Sequence, residues 1–259
     1  IDRLSLAFPI GPADVRIGRQ AISWGSAWFW KPTDRFSPIS PMDIDADVKR
    51  GVDALRAEFF FGASTSLDLV ATFEHHPDTD RELWVNGGAR FRTTIGRYDL
   101  AISAARFQLT DASNLMAGAE FSGELGNVGF RGEAAFNYLP ETEEWDIEGV
   151  IGADYHFTCG LTLAGEFFYN GLGTGDSQEY SSFLLDTTST TAERVARGET
   201  FNVGRYYAGI AVTQEVTPLI NLTLSAIGNV TDPSAFVIAG LSWSVVTNGR
   251  LTAGALIPV

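Results

Sequence analysis

The chain has one cysteine, Cys159, and only two lysines, Lys31 and Lys49, among its 259 residues. A single cysteine excludes a disulfide scaffold and covalent haem through Cys-x-x-Cys-His. The formal net charge of −14 leaves no basic stripe for phosphate, so nucleic acid is not an expected partner. No apolar run approaches the roughly 20 residues of a membrane helix. Ile1-Asp2-Arg3-Leu4 carries neither a basic n-region nor an apolar h-region, so a signal segment was removed or the chain begins inside a longer protein.

What is present is 45% apolar residues, 12% aromatics and 27 glycines, arranged with a period of two. In Leu67 to Glu74 the residues Leu67, Leu69, Ala71 and Phe73 share one face, and Asp68, Thr72 and Glu74 share the other. That alternation defines a strand with one apolar and one polar side. It recurs in 114–125 and 127–138, and extension in both directions gives strands near 3–9, 13–22, 52–61, 66–74, 83–94, 98–108, 114–125, 127–138, 146–157, 161–170, 203–214, 219–229, 235–245 and 250–257. Most are long enough to cross a bilayer at a tilt, which takes about 9 to 11 residues. Tight turns near Gly11, Ala63, Gly96, Gly126, Cys159, Thr217 and Asn248 alternate with longer links at 23–51, 75–82, 109–113, 139–145, 171–202 and 230–234.

The aromatics mark two levels on the apolar faces. Phe73, Phe136, Tyr138, Phe167, Tyr169 and Tyr206 fall at the long-loop ends, while Phe61, Tyr98, Phe121, Phe130, Tyr155, Phe157 and Trp243 fall toward the short turns. Small aliphatic residues lie between, as in Ala208, Ile210 and Val212. Two aromatic girdles around a plain apolar band describe an all-β, antiparallel, up-and-down transmembrane barrel in a single domain spanning 1–259. Only a closed sheet leaves no unpaired edge in lipid. With long loops outside, the first and last strands both end at the outer rim, so these fourteen strands are expected to belong to a barrel of sixteen; a complete fourteen-strand barrel is the alternative.

In this architecture, and in the segment Ile17-Gly18-Arg19-Gln20-Ala21-Ile22-Ser23-Trp24-Gly25 followed by Lys31-Pro32-Thr33-Asp34-Arg35-Phe36-Ser37-Pro38, the chain resembles Gram-negative outer-membrane porins. The resemblance implies an outer-membrane channel for passive diffusion of small polar solutes or ions, without a cofactor, with outer-membrane lipid around it and a homo-oligomer or protein partner open. A sheath barrel holding a partner such as a cytochrome, and an outer-membrane barrel hydrolase, are the other readings.

Charges avoid hydrocarbon, so the polar faces must look inward. They place Arg16, Arg56, Glu58, Asp68, Arg90, Arg92, Glu120, Glu124, Arg131, Glu133, Asp146, Glu148, Asp154, Glu166 and Arg205 at the pore wall. Rows of both signs either set a field across the pore or hold the wall by cross-strand pairs, and the carboxylate excess favours cations. The link 23–51 carries Trp24, Trp28, Trp30, Asp34, Arg35 and then Asp43, Asp45 and Asp47. Aromatic and stiffened by Pro32, Pro38 and Pro41, it is expected to fold into the barrel and constrict it, with a cap on the rim as the alternative. Asp43, Asp45 and Asp47 have the first spacings of a calcium loop, but Val48 stands where the turn glycine belongs, so no metal site is expected. Link 171–202 reads as a long outer loop with a helical turn near Thr191 to Arg197. His75 and His76 adjoin Glu74 and Asp78, but neighbours on a strand face opposite ways, and no nucleophile motif accompanies them; His156 shares a face with Asp154, and no catalytic residue is assigned. Deleting residues 28–44 is expected to raise single-channel conductance in a planar bilayer.

Overall fold

The computed structural model describes residues 2–40, 49–76, 79–110, 112–185, 190–196, 200, 202–247 and 249–259. Glycine and polar punctuation break the alternating pattern into β1 (Leu4–Ile10), β2 (Ala13–Gln20), β3 (Val52–Phe60), β4 (Thr65–His76) and β5 (Thr79–Ile95). The central strands are β6 (Tyr98–Gln108), β7 (Ser113–Leu125), β8 (Val128–Leu139), β9 (Glu144–His156) and β10 (Leu161–Asn170). After two short helices, α1 (Tyr180–Leu185) and α2 (Thr190–Ala196), come β11 (Tyr206–Thr217), β12 (Ile220–Asn229), β13 (Ala235–Val246) and β14 (Gly249–Pro258).

All 14 strands form one sheet in chain order, each antiparallel to the next. Among the described residues no ladder joins β1 to β14. Tight turns need backbone conformations with positive φ, which glycine adopts without a Cβ clash. Gly96 (φ 65°) and Gly126 (φ 66°) occupy two of them, and each closes a hairpin between strands of eleven or more residues.

The register separates two faces. Ile102 lies opposite Phe91 and Ala119, whereas Glu120 lies opposite Ala101 and Glu133. Burial is inverted relative to a water-soluble sheet: Ile102 is 64% exposed and its neighbour Ser103 only 7%. The exposed side is the apolar one. Phe73, Phe136, Phe167 and Tyr206 at the long-loop end, and Phe61, Tyr98, Phe130 and Trp243 at the other, are all exposed on it.

Several expected strand limits move: the expected longer link 75–82 is largely taken up by strand, since β4 runs to His76 and β5 begins at Thr79, and two other limits move for a local reason. β2 stops at Gln20 rather than residue 22 because the chain turns into the interior, where Ile22 and Trp24 are wholly buried. β11 begins at Tyr206 rather than residue 203 because Gly204 bridges to Thr174 and the Arg205 guanidinium donates to the Gly173 carbonyl at 3.1 and 3.0 Å. The expected helical turn is α2, and α1 is a further helix that the sequence pattern did not indicate.

The two faces give opposite responses to the same charge. Leu224→Arg, on the exposed apolar face, is expected to destabilise by about 2–4 kcal/mol, whereas Thr223→Arg, beside it on the inner face, is expected to change stability little. Urea unfolding in phospholipid vesicles compares them.

Candidate functional site: a loop pinned inside the sheet

Residues 21–40 carry no ladder of their own. Their amides need other acceptors, since an unpaired buried N–H costs about 1–3 kcal/mol. Two carboxylates of the inner face supply them. Glu133 of β8 accepts from the Ser26 amide at 2.5 Å and the Ala27 amide at 2.6 Å, both on Oε1. Glu166 of β10 accepts from Trp28 on Oε1 and from Phe29 on Oε2 at 2.7 Å. Four consecutive amides are thereby held between two strands. Gly25, with φ +88°, makes the turn into this segment, and a Cβ there would meet the Glu133 carboxylate oxygens at 2.8 and 2.9 Å.

The anchors also explain an arrangement that is unfavourable by itself. Glu120 and Glu133 are direct cross-strand neighbours of like charge, which destabilises a bare sheet. Arg90 clasps Glu120 with two bonds, of 3.0 and 2.5 Å. Thr33 Oγ1 lies between the two acids, 3.2 Å from Glu120 Oε1 and 2.9 Å from Glu133 Oε2. Arg90 reaches across β6 because the inward residues there, Ala101 and Ser103, are small.

Further ion pairs join loop to wall and strand to strand. Asp68 accepts from Arg56 Nε at 2.8 Å and from the Trp24 indole N–H at 3.0 Å. Arg35 pairs with Glu148, and Lys49 with Asp34. Burial pushes the Asp34 carboxyl up to about 6 despite the opposing pull of Lys49, and burial pushes the Lys49 ammonium down. Arg131 pairs with Asp154, donates to the Ser26 carbonyl at 3.2 Å and lies 5.1 Å from the Trp28 ring centre, a cation–π contact.

Apolar packing completes the attachment. Ile22, Trp24 and Phe36 pack with Val70, Ala105, Phe107, Met116 and Ala135, whereas Ala27 and Trp30 pack with Val150, Phe168, Ile227 and Ile238. Trp30 stacks on Phe168 at 5.4 Å with the rings nearly parallel. Of the expected constriction residues, Trp24, Trp30, Asp34 and Arg35 are therefore buried against the inner wall, and Trp28 is 41% exposed. Asp43, Asp45 and Asp47 lie outside the described residues.

The expected wall residues divide by what they touch. Asp68, Glu120, Glu133, Glu148, Asp154 and Glu166 are buried with partners. Asp146 accepts from Asn137 at 2.9 Å, and the Arg194 guanidinium of α2 is 3.8 Å from it. Arg16, Arg92 and Glu124 share the inner face and are exposed, and Glu58 is half-buried beside Arg56. Arg205 precedes β11 and holds the outer loop rather than the wall. His156 bonds Thr162 at 2.9 Å and lies 3.1 Å from Asp154.

Sequence reading missed Gly25, Thr33 and Lys49 and the inward apolar residues Val70, Met116, Val150 and Phe168. Their signal is an interruption: each of these four, like Phe107, Ile227 and Ile238, puts a large apolar side chain among the polar residues of the inward face.

No protein-family model and no curated protein sequence matches this chain. Solved structures do. Pseudomonas aeruginosa OccD3 (OpdP) superposes with a TM-score of 0.60 at 11% identity, over 100% of this chain and 72% of that one. A double variant of OccD1 (OprD) gives 0.58 at 10% identity, covering 98% and 72%. A BenF-like porin from Pseudomonas fluorescens Pf-5 gives 0.55 at 13%, covering 99% and 72%. With its fourteen-strand antiparallel meander and inverted burial, this chain has the β-barrel fold of Gram-negative outer-membrane porins.

Proposed function

We propose that the chain forms an outer-membrane channel through which small polar solutes or ions diffuse passively, with residues 21–40 as its constriction. The observation that carries this reading is the fixing of that segment across the inner face by Glu133 and Glu166. A segment held on both flanks narrows the interior permanently, and its occupancy of that space disfavours the sheath reading, in which a partner protein fills the lumen. One solved structure of similar fold is a BenF-like porin by name, which supports transport over catalysis.

Within the channel the charged residues have two tasks. The pairs Arg56–Asp68, Arg90–Glu120, Arg131–Asp154, Arg35–Glu148 and Lys49–Asp34 hold wall and constriction together. The exposed inner residues Arg16, Arg92 and Glu124, together with Asp14 and Asp99, are among those that meet permeating solutes. The inward positions of β12 and β13, among them Asn221, Thr223, Ser225, Gly240 and Ser242, carry no charge. Solutes thus pass between one charged and one neutral wall, and ordering of their charges comes from the β2–β10 side.

The joint variant Glu133→Gln, Glu166→Gln tests the assignment. Each glutamine keeps one acceptor oxygen and brings an unwanted N–H₂ against the loop amides. Planar-bilayer recording is expected to show larger and noisier single-channel conductance than the unaltered chain, with unfolding easier by about 1–3 kcal/mol per anchor. A quiet channel of unchanged conductance would refute the constriction. Absence of any conductance from the folded, unaltered chain would refute the channel itself.

A further inference from the structure

The two helices of the outer loop are tied to different parts of the sheet. At α1, the Asn229 side chain of β12 donates to the Tyr180 hydroxyl at 2.7 Å. At α2, two adjacent residues make the attachment. Glu193 accepts from the amide and the hydroxyl of Thr110, both at 2.8 Å, while Arg194 turns into the protein and is wholly buried. Its ion-pair partner is Asp146 of β9 at 3.8 Å, and among the described residues its guanidinium nitrogens have no hydrogen-bond acceptor. A buried guanidinium held this loosely recovers little of its lost hydration, so α2 is the part of this attachment that leaves most easily.

Asp146 is also joined to the constriction. Glu148 lies two residues along β9 on the same inner face, and it holds Arg35 of the constriction segment. One side-chain amide serves both acids. Asn137 of β8 donates through Nδ2 to Asp146 Oδ1 at 2.9 Å and to Glu148 Oε2 at 3.3 Å, and its own Oδ1 accepts from Asn114 Nδ2 of β7 at 3.0 Å. An amide nitrogen carries two N–H groups. Here one goes to each carboxylate while the oxygen is fixed from the other side, so Asn137 cannot turn toward one acid without leaving the other. Asn137 and Arg194 are 0% exposed and Glu148 2%, which leaves no bulk solvent to replace a bond lost among them.

We propose that the row Arg194, Asp146, Asn137, Glu148 and Arg35 couples the outer loop to the constriction. When α2 leaves the wall, Asp146 loses its cation and draws the Asn137 amide away from Glu148. The Glu148–Arg35 pair then loosens, and residues 31–37 loosen with it. Coupling free energies are reciprocal, so release of Arg35 frees α2 in turn. Asn137 is a positioning residue in this row, hydrogen-bonded to neither loop itself. The proposal rests on the reading of residues 21–40 as the constriction, and it adds that the constriction responds to the state of the outer loop.

The test is amide hydrogen exchange, followed by mass spectrometry, on the whole chain in phospholipid nanodiscs. Arg194→Gln is expected to speed exchange about fivefold in peptides covering 31–37 as well as in α2. In an Asn137→Ala background the same substitution is expected to speed α2 only, a non-additivity that a double-mutant cycle reads directly. Asn137→Ser takes the place of the alanine variant if that one does not fold. Acceleration confined to α2 in the otherwise unaltered chain overturns the proposal. So does equal acceleration of 31–37 with and without Asn137, or acceleration spread evenly through β12 to β14, which marks general loosening. Planar-bilayer recording of the same variants separates the two readings: a conducting chain without Asn137-dependent acceleration loses only the coupling, whereas a folded, unaltered chain that does not conduct loses the channel itself.

Discussion

Every backbone N–H and C=O that enters hydrocarbon must find a partner within the protein, because lipid offers none. The fourteen strands answer this with ladders between all consecutive neighbours, and most other features follow from the same demand. Strands must be long and unbroken to carry the ladder across. Glycines such as Gly96 and Gly126 then reverse the chain in two residues between such strands. Side chains can no longer be buried on both faces, so the apolar ones face lipid and the polar ones face inward.

Residues 21–40 meet the same demand without a ladder. Buried at the inner wall, they use side-chain acceptors, and Glu133 and Glu166 together serve four successive amides. A carboxylate suits this task because it offers two oxygens and accepts charge-assisted bonds of roughly twice ordinary strength. The cost of burying the acids is offset by those bonds together with Thr33, and Arg90 balances the neighbouring Glu120. The apolar contacts of Trp24, Trp30 and Phe36 exclude water from the anchors. An inner wall made only of polar residues could not hold an aromatic loop in this way, and Val70, Met116, Val150 and Phe168 are the wall's contribution to that second core.

Much of this is legible in the chain itself. Leu67, Leu69, Ala71 and Phe73 against Asp68 and Thr72 already fix a strand and its two faces, and the aromatic pairs at its ends fix the apolar band. The inward direction of the acids is equally readable. Their individual duties are not. By alternation alone, Glu133 and Glu124 are equivalent polar residues, one on each side of Gly126; the first is buried on loop amides and the second is exposed. Arg90 stands opposite Asp68 by register, yet it pairs with Glu120 two strands away because small residues intervene.

The sequence by itself determined the strands, their faces and the inward turn of charge, because period two is set by adjacent residues and needs no knowledge of distant ones. Tertiary structure alone decided which carboxylates serve as anchors and which remain open to the interior. The contacts that make the difference join residues 107 and 138 positions apart, and no local pattern records a hydrogen bond of that span.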